Sequence, residues 1–167
     1  APLPELLSLL ADKPLVCIED AACAIGAKYG GKLAGSFGHT ACFSLHPRKL
    51  ISSAEGGYLT TDAASLAERV RRLRNHGLTQ QGELLAAGFN YRMSDVHAAL
   101  GLAQLKQLED FLAARAKQAA FYTEAFKQHE GFITPLAKVP LSGDEKHAFQ
   151  AYVVRLANTY GQKVNTE

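Results

Sequence analysis

At 167 residues the chain is long enough to bury a hydrophobic core, and its net charge of +2 argues against nucleic acid or an anionic membrane as a partner. A composition of 47% hydrophobic and 20% charged residues is that of an ordinary globular protein. No apolar run approaches the roughly 20 residues that span a bilayer.

The opening "APLPELLSLLADK" has no basic stretch ahead of its apolar residues. It therefore reads as an amphipathic helix, Pro4 to Ala11, rather than a secretion signal. "PLVCIED" is a compact apolar run closed by two carboxylates, the pattern of a buried parallel strand whose carboxyl end opens into a crevice. "KYGGKLAGSFG" predicts a small hairpin, "TACFSL" the next strand and "GYLTT" the one after. The strands are expected at about 15–19, 40–45 and 57–61, in one mainly parallel sheet.

Asp62 is expected to cap a helix from Ala63 to about Asn75, with Leu66, Val70 and Leu73 on one face and Gly77 at its end. After an irregular stretch, Ser94 N-caps a long helix with Asp95 in its first turn. Val96, Ala99, Leu100, Ala103, Leu108 and Leu112 recur at helical spacing, and the pattern runs to about Gln128 with room for a break. Gly131 to Lys146 reads as loop and "AFQAYVVRLA" as a late strand. The order implies an α/β sheet unit passing into a smaller second unit, about residues 1–90 and 91–167.

The three cysteines, Cys17, Cys23 and Cys42, are odd in number and lack metal-ligand spacing, and the six histidines are scattered, so there is no zinc signature. Cys17 and Cys42 lie in apolar runs, where a free thiol packs as a small hydrophobe, and a reduced, cytoplasmic setting fits. The basic run Arg69, Arg71, Arg72 and Arg74 lacks interleaved aromatics and reads as a solvated helix face.

Three residues could carry chemistry. Asp20 closes the first strand, Ser44 ends the next, and Lys49 follows in the loop. An acid, a hydroxyl and a lysine at the carboxyl edge of neighbouring strands suit a pyridoxal phosphate site: the amine for the aldehyde, the carboxylate for the ring nitrogen, the hydroxyl for the phosphate. The same three residues also fit a turn cap, a strand-end hydroxyl and a surface loop lysine, and the pattern alone leaves both readings open.

The wording of the segment adds to it. "IEDAACAIGAKYGGKLAGSFGHTACFSLHPRKLISSAEGGYLTTD" resembles the DegT/DnrJ/StrS family of pyridoxal-phosphate-dependent sugar aminotransferases, in which Glu-Asp-Ala-Ala, Gly-Ser-x-Gly, Phe-Ser-x-His-x-x-Lys and Glu-Gly-Gly follow in that order. "LRNHG" and "GFNYRMSDVHAALGLAQLKQLEDF" are similar to its later signatures, so the resemblance is closest from Val16 to Phe111. It implies a partial aspartate-aminotransferase-like fold. It makes Lys49 the Schiff-base lysine, Asp20 the partner of the pyridine nitrogen, and Ser44 a phosphate contact. Asn90 becomes a phosphate contact reaching across a dimer interface, and Arg92 and His46 are substrate-side candidates, although His46 also reads as a packing residue of its loop. Where the family has Gln or His near the cofactor's phenolic oxygen, this chain has Cys23, a poor hydrogen-bond donor, which puts that contact in doubt.

The resemblance covers the middle of the family's longer chains. The expectation is therefore a piece truncated at both ends, inactive by itself and prone to associate as a homodimer or larger homo-oligomer. The complete enzyme would move an amino group, with glutamate as donor, to a nucleotide-linked keto-sugar. The alternatives are a non-catalytic remnant serving as an inert or interaction domain, and a sugar dehydratase relative. In that dehydratase branch the lysine is replaced, typically by histidine, so Lys49 favours transamination.

Overall fold

The structure is a computed structural model and describes residues 2–129, 131–135, 141 and 143–157. Helix α1 (Leu3–Leu10) is followed by strand β1 (Ile18–Asp20), the hairpin β2 (Lys28–Tyr29) and β3 (Lys32–Leu33), and strands β4 (Thr40–Ser44) and β5 (Gly57–Thr60). Helices α2 (Ala64–Leu73), α3 (Asp95–Leu105) and α4 (Leu108–Phe126) come next, then the short pair β6 (Phe132–Ile133) and β7 (Arg155–Leu156).

The main sheet has the order β1-β4-β5. β1 runs parallel to β4, with Glu19 opposite Ala41 and Asp20 opposite Cys42. β5 returns antiparallel to β4, so the described sheet is mixed rather than mainly parallel. The cause is the Leu45–Gly56 connection: it holds no crossover helix, and a parallel return needs one or a comparably long excursion. Its ends are tied by Leu45 N–H donating to the Gly56 carbonyl at 2.9 Å.

β1 begins at Ile18 rather than near Leu15. At Cys17 the backbone N–H donates to His39 Nδ1 (3.0 Å), so a ring nitrogen stands where a ladder carbonyl would be. Leu15, Val16 and Ile18 are exposed at this edge of the sheet.

Strand alternation sorts the sheet into two faces. Glu19, Ala41 and Phe43 are buried on one, while Ile18, Asp20 and Cys42 are exposed on the other. Cys42 is thus on the open face and not in the core. On the buried face Glu19 makes an unusual contact for a carboxylate only 6% exposed. Oε1 accepts from the N–H groups of Phe37 (2.7 Å) and Gly38 (2.8 Å), and Oε2 from that of Gly35 (2.8 Å). Three donors from one loop satisfy a buried charge that would otherwise be costly. Gly35 has a φ of +92°, and a Cβ there would lie 2.5 Å from Phe43 Cζ, so only glycine lets the loop lie against the core ring.

Ser94 caps α3 as expected, its hydroxyl accepting from His97 N–H at 3.3 Å. The helical run breaks at Lys106 and Gln107, and α4 carries the burial, through Leu112 and Ala119. Val96, Leu100, Leu102 and Leu105 of α3 are exposed. Asp62 does not cap α2: the N-cap is Ala63, and the entering turn is set by Thr61, whose Oγ1 accepts from Ala63 N–H (3.2 Å) and donates to the His39 carbonyl (2.7 Å). α2 ends at Leu73, and the Gly77 N–H closes back on the Arg72 carbonyl at 2.9 Å.

A second apolar cluster joins Leu50, Leu112 and Ala148, with Ile25, Ala27, Leu108 and Phe111 around them. Only Arg155–Leu156 of "AFQAYVVRLA" is strand, paired with Phe132–Ile133 inside the segment read as loop. Upstream of β7, Gln150 and Tyr152 spend their side chains on packing contacts, with Tyr152 Oη and Thr123 Oγ1 2.8 Å apart. Positions 136–140, within the segment expected to be loop, and the polar ending 158–167 lie outside the described residues.

Replacing Glu19 with Gln turns an amide NH2 toward N–H donors and leaves one of them unpaired in the core. Urea unfolding of the full-length protein should show a loss of roughly 2–4 kcal/mol. An unchanged midpoint would mean that the Gly35–Gly38 loop holds its shape without the carboxylate.

Candidate active site

The parallel pairing places Asp20 at the carboxyl end of β1, opposite Cys42, and Ser44 two residues further along the same open face. Asp20 Oδ1 accepts from Ala22 N–H at 3.1 Å, so one carboxylate oxygen shapes the turn after β1. The other is open toward the face among the described residues. The turn continues through Ala24 N–H donating to the Ala21 carbonyl (3.0 Å), which carries Cys23 around to the same side.

Lys49 arrives from the Leu45–Gly56 loop. Its Nζ donates to Cys23 Sγ at 3.0 Å, bringing together two of the residues singled out in the sequence. The loop leading to it is built from its own residues. Ser44 Oγ accepts from His46 N–H (3.3 Å), His46 Nδ1 accepts from Arg48 N–H (3.2 Å), and Lys49 N–H donates to the His46 carbonyl (2.9 Å). His46 therefore shapes the loop, and only its Nε2 is left for other work.

Two residues that the sequence reading missed hold this loop from outside. Gln150 brackets Lys49: Nε2 donates to the Arg48 carbonyl (2.6 Å), and Oε1 accepts from Leu50 N–H (2.9 Å). Gln104 of α3 accepts from Ser52 N–H through Oε1 at 2.8 Å. Gln150 is held in turn by Arg115 of α4, whose Nη1 donates to the carbonyls of Phe149 (3.3 Å) and Gln150 (3.4 Å). Nothing in the local sequence marks a glutamine a hundred positions from the lysine.

Asn90 and Arg92 form a second cluster. Asn90 pairs with Asn75 across an isolated bridge, Arg92 Nη1 donates to Asn75 Oδ1 (2.6 Å), and Phe89 stacks on Tyr91 at 4.9 Å between centroids. No hydrogen bond among the described residues joins this cluster to Lys49. Asn90, Tyr91 and Arg92 are all exposed. Among the described residues no group of His, Cys, Asp and Glu could hold a metal, and no helix is long and apolar enough to cross a membrane.

A family model for the DegT/DnrJ/EryC1/StrS aminotransferases matches residues 1–166. The chain belongs to this family. GDP-perosamine synthase of Caulobacter vibrioides is 41% identical over 144 residues, covering 85% of this chain and 38% of that protein. The UDP-4-amino-4,6-dideoxy-N-acetyl-beta-L-altrosamine transaminase of Campylobacter jejuni is 35% identical, covering 78% of this chain and 36% of that one. Among solved structures, PseC of Helicobacter pylori, an aminotransferase involved in the biosynthesis of pseudoaminic acid, superposes with a TM-score of 0.86. It is 27% identical, and the match covers 99% of this chain and 45% of that one. The chain thus spans under half the length of these relatives, and its fold is part of an aspartate-aminotransferase-like fold.

An open groove of about 620 Å³ runs beside the Asp20–Cys23 turn, past Ile18, Tyr29, Phe37 and His147. Burial pushes the His147 imidazole below its ordinary value of 6.5, and its Nδ1 accepts from Phe149 N–H at 2.9 Å, which requires that nitrogen to be unprotonated. The unfolded chain therefore takes up this proton first as pH falls. The stability should be full above pH about 6.5 and decline as pH drops through the lower folded value. Denaturant melts between pH 7.5 and 5 should show that decline, and His147→Gln should flatten it; equal slopes in the two proteins would exclude His147 as its source.

Proposed function

We propose that the full protein containing this chain is a pyridoxal-phosphate-dependent aminotransferase that moves an amino group, with glutamate as donor, to a nucleotide-linked keto-sugar. The observation that carries the reading is Lys49: its amine reaches Cys23 beside the open sheet face, where Asp20 and Ser44 also lie. Family membership and the 41% identical GDP-perosamine synthase support it.

The side chains present fit the cofactor. Lys49 Nζ would hold it covalently, and the open oxygen of Asp20 would keep a proton on its ring nitrogen. The Ser44 hydroxyl accepts from His46 N–H, which leaves its hydrogen to donate to a phosphate oxygen. When bound, pyridoxal phosphate supplies an electron sink for the substrate carbon that loses a proton. Lys49 Nζ takes that proton and returns it, a task suited to a half-buried lysine whose flanking backbone is held by Gln150. Cys23 stands where the family has Gln or His, so this chain would meet the cofactor's oxygen with a weaker donor.

In this reading residues 1–90 belong to the cofactor-binding unit and 91–167 to the smaller one. Asn90 reaches the cofactor phosphate of a second subunit, which its exposure allows, and Arg92 and His46 Nε2 face the sugar nucleotide. The protein is then a homodimer or a larger homo-oligomer in the cytoplasm.

Two outcomes follow for the full-length protein. Borohydride should fix pyridoxal phosphate to the Lys49 peptide, and Lys49→Ala should abolish the label and lower turnover by on the order of a hundredfold to ten-thousandfold. A label on another lysine, or undiminished turnover, would sink the assignment. Mixed subunits carrying Lys49→Ala and Asn90→Ala should regain activity that neither variant shows alone, because one of the two sites in the mixed dimer is intact. Persistent inactivity of a verified mixed dimer would place Asn90 outside the partner's site.

A further inference from the structure

We propose that Cys23 and Lys49 form a redox-sensitive covalent pair, in which a peroxide converts their contact into a sulfur–nitrogen bond that takes the lysine amine out of use. Lys49 Nζ lies 3.0 Å from Cys23 Sγ, close enough that bond formation needs little movement of either residue. Cys23 is exposed, so an oxidant can reach it. Lys49 is half-buried, and Gln150 holds the backbone on both sides of it, so the amine stays in place while the sulfur is oxidised. Of the other two thiols, Cys17 donates its backbone N–H to His39 and is half-buried, while Cys42 is exposed on the same sheet face and is the competing partner.

The chemistry has two steps. The Cys23 sulfur attacks one oxygen of the peroxide and the O–O bond breaks, giving a sulfenic acid and one water; sulfur loses two electrons and the peroxide gains them. The lone pair of Lys49 Nζ then attacks the sulfur. The S–O bond breaks, and the departing hydroxide takes a proton from the nitrogen as a second water. The sum is one thiol, one amine and one peroxide giving a sulfenamide and two waters. An external dithiol reverses it: one thiolate attacks the Cys23 sulfur and releases the Lys49 amine, and the second thiolate frees Cys23 and closes a disulfide in the reagent. Formation of the bond depends on the contact alone. Its consequence, a protein that cannot take up its cofactor, rests on the reading of Lys49 given above.

The test uses the full-length protein freed of cofactor and exposed to a slight excess of hydrogen peroxide, followed by mass spectrometry. The expected result is a chain lighter by two hydrogens and a peptide joining Cys23 to Lys49, both reversed by dithiothreitol. Cys42→Ser should keep the linkage, and Cys23→Ser and Lys49→Arg should each lose it. Sulfinic or sulfonic acid on Cys23 beside an unmodified Lys49, a Cys23–Cys42 disulfide, or no change in mass would each overturn the proposal. Pyridoxal phosphate uptake is measured separately on the oxidised and re-reduced protein, with uptake expected only after reduction. A joined peptide with undiminished uptake would uphold the bond and overturn the cofactor role of Lys49 instead.

Discussion

A buried carboxylate organises the sheet. Glu19 sits on the core side of β1 and draws in the N–H groups of Gly35, Phe37 and Gly38. Because strand side chains alternate, the residue that faces the core at position 19 forces its neighbour Asp20 to the opposite face. The two carboxylates of one dipeptide thus have different environments: one is closed in by backbone donors, and the other stands in the open with an oxygen to spare. The gathered loop also leads directly into β4, whose register against β1 decides that Cys42 and Ser44 share the face of Asp20. A slip of one residue would turn this whole set to the other side.

The loop after β4 adds the Lys49 amine to that face. Its geometry is over-determined: a serine hydroxyl, an imidazole nitrogen and a backbone carbonyl shape the inner turn, and two glutamine side chains fix the outer one. An amine on a flexible four-carbon stem is a poor tool unless its root is held, and here the Arg48 carbonyl and the N–H groups of Lys49 and Leu50 all have partners. The contact with Cys23 shows where the stem points.

Much of this was legible in the order of residues. The apolar run ending in Glu-Asp, the hairpin glycines, the Ser94 cap and the wording of the Lys49 segment led to the right elements, the right fold class and the two residues found in contact. The direction of β5 was not, because nothing local distinguishes a loop that turns back from one that crosses over. The start of β1 was displaced by a histidine ring, and α2 is capped at Ala63, with Thr61 rather than Asp62 shaping its entering turn. "AFQAYVVRLA" has the composition of a strand, but a strand needs a partner, and most of this segment lies against α4 and the Lys49 loop. Glu19 was visible as half of a pair whose roles could be divided only once the alternation was known. Gln150 had no signal of any kind, since its role depends on a contact spanning a hundred residues of chain.

That last contact ties the lysine to a part of the polypeptide made long after it. During synthesis the strand that carries Ser44 and the loop that carries Lys49 emerge first, and they remain without their outer support until Gln150 and the Arg115 that seats it have followed. The Lys49 amine therefore gains its outer support late, when α4 has packed on Leu50. A chain interrupted before that point would present Lys49 without the two hydrogen bonds that fix the backbone on either side of it.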